Sequence, residues 1–249
     1  MDKIIFLGTA GDTETMARQR RGTGGLVLQL EGSQFHLDPG PGALLAARLF
    51  GVSVRDTIAV IATNGSVIRS AEVDALVSAM TLDGLDKHGV LMGSVSVIER
   101  CRPESKRSVE GVVTLAPQSK VGINQVAFLS VKSLHEDGTA VGLKAITRSF
   151  ILGYVGDTGW YETIAKDYED CEILVVNVAL PEGVEDGHRM SVDGVRKLLE
   201  AVKPKKVFLT GFGAKLLDQD TVDIARQLQR KTKADVTAAT DGLSVELKS

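Results

Sequence analysis

Few side chains in this chain are placed to do acid–base or metal chemistry. Asp157 stands in Gly156-Asp157-Thr158-Gly159, where an apolar run gives way to glycines. A carboxylate at a strand's end is a frequent ligand position, and capping of the helix expected near Tyr161 explains it as readily. His135 lies in Ser133-Leu134-His135-Glu136-Asp137-Gly138, and His188 in Asp186-Gly187-His188-Arg189-Met190-Ser191. Imidazoles and carboxylates of this kind hold divalent metals or move protons. The loop Thr63-Asn64-Gly65-Ser66-Val67-Ile68-Arg69 is the opposite case. It follows the apolar run from Thr57 to Ala62, the usual place for chemistry in α/β proteins, yet it holds no His, Cys, Asp or Glu.

Other features are weaker. Gly8-Thr9-Ala10-Gly11 does not complete a dinucleotide fingerprint, and no convincing helix opens directly after it. Arg18, Arg20 and Arg21 read as a solvated loop, with an arginine reaching toward an anion as the sharper alternative. His36 sits within a strand and reads as structural. Cys171 precedes a buried run and reads as an inert thiol; Cys101, among arginines, could have a lowered pKa.

The elements that position these residues follow from periodicity. Strands are expected over Met1–Gly8, 26–30, 34–37, 57–62, 89–98, 109–115, 126–131, 141–146, 149–155, 173–178, 205–210, 236–239 and 243–247. Helices are expected over 43–50, from Ser70 with Val73, Leu76, Val77 and Met80 inward, over 161–166, after Ser191 with a stop at Pro204, and from Asp220 or Thr221. Asp38-Pro39-Gly40-Pro41-Gly42 is the densest turn signal, with Asp38 expected to cap that turn's own amides, and 100–106 reads as a surface loop.

Composition bounds the class. The chain has 249 residues, 43% hydrophobic and 24% charged, with a net charge of −3. That argues against a general nucleic-acid binder, and no basic stripe stands out. No apolar run approaches a membrane span and no signal-peptide pattern opens the chain, so a cytoplasmic protein is expected.

Phe6-Leu7-Gly8-Thr9, Asp38-Pro39-Gly40-Pro41-Gly42, Gly153-Tyr154-Val155-Gly156-Asp157-Thr158 and Leu209-Thr210-Gly211-Phe212-Gly213, in that order, resemble the metallo-β-lactamase superfamily, specifically its single-domain metal-dependent hydrolase branch. The resemblance implies one α/β (α+β) domain over residues 1–249: a four-layer αβ/βα sandwich of two mixed β-sheets with helices outside. It also implies a two-metal site from a His-x-His-x-Asp-His loop, a later His, a Gly-Asp-Thr aspartate and a final His. Matched here, the loop ligands become Asn64, Ser66, Ile68 and Arg69, and the final ligand becomes Gly211; only His135 and Asp157 agree. Ile68 cannot ligate. Arg69 brings a fixed positive charge, a repulsion of about 4 kcal/mol per unit of metal charge at about 4 Å in an effective dielectric near 20.

The resemblance therefore implies a degenerate, non-catalytic site with no cofactor, zinc or another divalent metal entering only as a reduced site. Asn64, Ser66, Arg69, His135, Asp157, His188 and Gly211 would line its cleft, with Arg69 and Asp157 as an ion pair. The expected partner is a small anionic ligand, with no nucleic acid and no membrane. The alternatives are a metal-dependent hydrolase using His135, Asp157 and His188, and a structural subunit of a homo- or hetero-oligomer.

Overall fold

A computed structural model describes residues 2–247; Met1, where the first strand is expected to begin, lies outside the described residues. The described residues form two compact units, the first drawn from 2–9, 21–116 and 240–247, the second from Ala10–Arg20 and Pro117–Ala239. Each carries one seven-stranded mixed sheet.

In the first unit the strands are β1 (Lys3–Phe6), β2 (Leu26–Leu30), β3 (Ser33–Leu37), β4 (Thr57–Ala62), β5 (Val90–Ser94), β6 (Gly111–Leu115) and β14 (Ser244–Glu246), ordered β14-β1-β2-β3-β4-β5-β6. Pairings from β14 to β3 are antiparallel and those from β3 to β6 parallel. The β2–β3 hairpin turns on Glu31 and Gly32, both at positive φ, the geometry a two-residue hairpin loop prefers. β4 is apolar almost throughout because parallel strands are covered on both faces. Helix Val73–Thr81 buries Val73, Leu76, Val77 and Met80 against Val60, Ala62 and Leu91, the inward stripe expected from its spacing.

In the second unit β7 (Lys120–Ile123), β8 (Val126–Lys132), β9 (Val141–Ile146), β10 (Ile151–Val155), β11 (Ile173–Asn177), β12 (Lys206–Thr210) and β13 (Asp235–Ala238) are ordered β13-β12-β11-β10-β9-β8-β7. Here β10 to β13 are parallel and β7 to β10 antiparallel. Helix Val192–Val202 is capped by Ser191, whose Oγ accepts from Gly194 N, and Thr221–Thr232 by Asp220, whose carboxylate accepts from Val222 N. Their apolar faces, Val195, Leu198, Leu199, Ile224, Ala225 and Leu228, pack in one core with Leu174, Val176, Val207 and Leu209.

Several local expectations are corrected. A helix, Thr13–Ala17, does follow the first loop, because the Asp12 carboxylate caps it through Thr15 N at 2.7 Å. Ser70 is not an N-cap; it ends a separate helical turn, Val67–Ser70, and its Oγ donates to Ser66 O. Glu72 instead accepts from Gly42 N at 2.6 Å and Leu44 N at 2.9 Å, capping helix Ala43–Leu49, whose own N-cap glycine has no side chain to do so. The stretch 89–98 is a strand only to Ser94; Val95–Arg100 is helical. The expected loop at 100–106 gives way to helix Pro103–Ser108, with proline at the position where its missing N–H costs nothing. The helix near Tyr161 is only Ile164–Asp167. Arg20 is a tie rather than a solvated residue, donating to Ala214 O and to the Asp218 carboxylate at 2.7 Å. Among the described residues no helix is long and apolar enough to cross a membrane.

His36, fully buried in β3, donates from Nε2 to Gly24 O at 3.1 Å. Burial lowers its pKa to about 4 from 6.5, against the opposing pull of the Gly24 carbonyl and Glu72. Between these values the unfolded chain binds the proton that the folded one excludes, so stability is complete above pH 6.5 and falls on acidification. His36→Gln, which keeps a donor for Gly24, is expected to lessen this acid sensitivity. Between pH 7 and pH 4, urea denaturation is expected to cost the native protein up to about 3 kcal/mol more than the variant. Equal losses would contradict this role.

Candidate functional site

In the first unit, the loop after β4 is fixed from below by Asp38. Its carboxylate is fully buried and reaches beyond its own turn: it accepts from Thr63 N at 2.7 Å and Thr63 Oγ1 at 2.8 Å. A Cβ on Gly40 would lie 2.0 Å from Ile68 O, so the Asp38–Gly42 turn can pack on the loop only with glycine there. Within the loop, Asn64 Oδ1 accepts from Ser66 N at 2.9 Å and Ser66 Oγ at 2.6 Å, a closed Asx turn. Arg100, which sequence reading left in a surface loop, donates to Gly65 O and, at 3.1 Å, to Ser70 Oγ. Asn64, Ile68 and Arg69 are 1%, 5% and 3% exposed: the residues that replace metal ligands in the resemblance are built into the structure.

In the second unit, segments far apart in sequence are fastened together. Ser133 Oγ donates to Asp157 O at 2.7 Å, Leu134 N to Thr158 Oγ1 at 2.9 Å, and Gly159 N to Leu134 O at 2.7 Å. A Cβ on Gly159 would lie 1.9 Å from Gly187 O, which sets the His188 loop directly against the Asp157 loop. Asp157 Oδ1 accepts from Asn177 Nδ2 at 2.8 Å. Asn177 was not singled out from sequence because it ends an apolar run; its signal is that it is the polar residue at the carboxyl end of a buried parallel strand. A Cβ on Gly211 (φ +62°) would meet Asn177 Cγ at 2.6 Å, so the carboxamide occupies the space a side chain at 211 would need.

The two histidines differ in what they offer. His135 Nδ1 accepts from Asp137 N at 3.0 Å. The neutral ring therefore carries its proton on Nε2 and presents a donor, whereas a metal requires a lone pair. His188 is held through its backbone, which donates to Asp186 Oδ1 at 3.0 Å, and its Nδ1 is buried with no hydrogen-bond partner among the described residues. Burial works to raise the Asp186 pKa, but the amides of His188 and Arg189 and the Arg189 guanidinium outweigh it and hold the carboxyl below its usual range. Cys101 is not activated: burial first, and then Asp74, push its thiol up to about 11. Cys171 is pushed to about 12 by burial, in keeping with an inert thiol.

No protein-family model matches the chain. The uncharacterised protein MJ1374 of Methanocaldococcus jannaschii is 26% identical over 255 residues, spanning 98% of this chain and 95% of that protein. Among solved structures, the metallo-β-lactamase fold protein YhfI from Bacillus subtilis superposes with a TM-score of 0.81, at 16% identity over 98% of both chains. The chain has the metallo-β-lactamase fold. The same fold is found in Igni18, a metallo hydrolase of Ignicoccus hospitalis (TM-score 0.69, 14% identity, 99% of both chains). It recurs in Zn²⁺-bound PqqB of Methylobacterium extorquens (TM-score 0.72, 12% identity, 98% of this chain and 100% of that one).

These relatives overturn the expectation that no cofactor accompanies the site and that zinc enters only in a reduced one, since Igni18 is a metallo hydrolase and PqqB is Zn²⁺-bound. That expectation counted histidines and carboxylates alone, and hard cations also take carboxamide, hydroxyl and carbonyl oxygens. The particular two-metal set of the resemblance is nonetheless not supplied at the matched positions. Ile68 has no donor atom, Arg69 no lone pair to give, and Gly211 no side chain. Among the described residues no group of three His, Cys, Asp or Glu side chains could hold an ion.

The His135 assignment can be tested directly. Long-range ¹⁵N–¹H NMR on labelled protein in alkaline buffer is expected to show the Nε2–H tautomer at His135. An Nδ1–H tautomer would contradict the Asp137 hydrogen bond.

Proposed function

We propose that this chain is a metallo-β-lactamase-fold binding protein for a small anion, its hydrolytic two-metal site degenerate and non-catalytic. The observation that carries the reading is Arg69, a guanidinium 3% exposed at the end of the β4 loop, where the resemblance calls for a metal ligand. A guanidinium is a permanent cation with a planar fork of donors, suited to phosphate or carboxylate and unable to coordinate a metal. The closed Asn64–Ser66 turn and the Arg100 contact to Gly65 O support it, because a preorganised loop loses little entropy on binding.

A second reading is a metal-dependent hydrolase drawing on His135, Asp157 and His188. The buried, unbonded Nδ1 of His188 and the Asn177 hydrogen bond that orients Asp157 favour it.

One set of assays separates the two. Inorganic phosphate is expected to raise the melting temperature of the native protein, by the equivalent of about 2.7 kcal/mol at 100 times its Kd. Arg69→Met is expected to remove that response, and Arg69→Lys to retain part of it. Hydrolysis of bis(p-nitrophenyl) phosphate, with Zn²⁺ or Mn²⁺ supplied, is expected to stay at background. Metal-stimulated hydrolysis that disappears in Asp157→Ala would overturn the binding-protein reading in favour of the hydrolase.

A further inference from the structure

The two long helices of the second unit end at one place. Lys203 and Pro204 follow helix Val192–Val202; Lys231, Thr232, Lys233 and Ala234 end or follow helix Thr221–Thr232. With Glu200 they line a cavity of about 480 Å³. Its charged lining residues are three lysines against one glutamate, in a chain whose net charge is −3. The carboxylate is itself engaged, since Glu200 Oε1 accepts from Arg196 Nη1 at 3.5 Å.

Lysines at helix C-termini ordinarily bond the last carbonyls and offset the helix dipole. These side chains do not. Among the described residues no side-chain hydrogen bond runs from Lys203, Lys231 or Lys233 to a helix carbonyl, and Lys231 pairs at 3.6 Å with Glu182. Both Lys203 (φ +55°) and Lys233 (φ +63°) occupy the left-handed position that closes a helix, where glycine is the default residue. At two separate helix ends, then, the chain carries a cation where backbone conformation favours no side chain. Mutual repulsion of the ammonium groups around one concavity is relieved by a multiply charged anion.

We propose that this lysine-lined cavity binds a compact polyphosphate anion, of di- or triphosphate size, at a site separate from the Arg69 loop. A concave site favours a compact ligand over an extended strand, and lysine ammonium groups hold phosphate oxygens as point charges.

The test is isothermal titration of the full chain with sodium tripolyphosphate at low ionic strength, beside the double variant Lys203→Gly, Lys233→Gly. Glycine suits both backbone positions, so the variant is expected to melt no lower than the native protein while binding tripolyphosphate at least about tenfold more weakly. Native affinity should fall steeply with added salt. Unchanged affinity in the glycine variant would overturn the proposal, and loss of binding only in Arg69→Met would assign the anion to the loop instead. Absence of tripolyphosphate binding would equally overturn it, as would binding of a single-stranded RNA oligonucleotide alone.

Discussion

The arrangement of the β4 loop rests on one buried carboxylate. Asp38, at the end of β3 and fully removed from solvent, accepts from the backbone and the hydroxyl of Thr63 at the end of β4. A carboxylate costs several kcal/mol to bury unless donors satisfy it, so the two strand ends are committed to this geometry. Asn64, Ser66, Ile68 and Arg69 then follow within a single turn, with Gly40 packed against the Ile68 carbonyl. The second unit uses the same device in another form: hydrogen bonds between residues 133–134 and 157–159, and the Asn177–Asp157 bond, fix the Asp157 loop.

Much of this frame is legible in the sequence, and the reason is burial. Runs such as 57–62 and 173–178 read as strands because parallel sheet covers both faces, and Ser191 and Asp220 announce helices because their side chains replace missing backbone partners. The failures have physical causes too. Val95–Arg100 looks extended because Val-Ser-Val-Ile is β-branched and alternating; packing of Val97 and Cys101 beside helix Val73–Thr81 decides otherwise. Glu72 stands at the start of helix Val73–Thr81 while its side chain caps another helix, a tertiary bond that no local pattern reports. The short edge strand β7 escapes notice because it is half exposed and carries a glycine.

The candidate site was legible in part. The strand-end loops containing Asp157 and Asn64–Arg69 stand out as breaks after apolar runs, and the four motifs point to the fold that YhfI shares. Asn177, Arg100 and the lysines at 203, 231 and 233 were hidden for one reason: each gains meaning from what the fold sets beside it. Asn177 matters through Asp157 and Gly211, Arg100 through Gly65, and the lysines through a cavity that joins segments about thirty residues apart.

PqqB, which shares this fold, is Zn²⁺-bound, and this chain keeps the fold while setting isoleucine, arginine and glycine at positions where the resemblance expects ligands. Under the proposed function the β4 loop holds an anion where the resemblance expects a metal pair. The most direct test is a crystal grown with Zn²⁺ and phosphate, with anomalous data collected at the zinc edge. The account predicts phosphate density on Arg69 and no zinc pair at the loop. Two zinc peaks about 3.5 to 4 Å apart there, the separation of a two-metal hydrolytic centre, would contradict it.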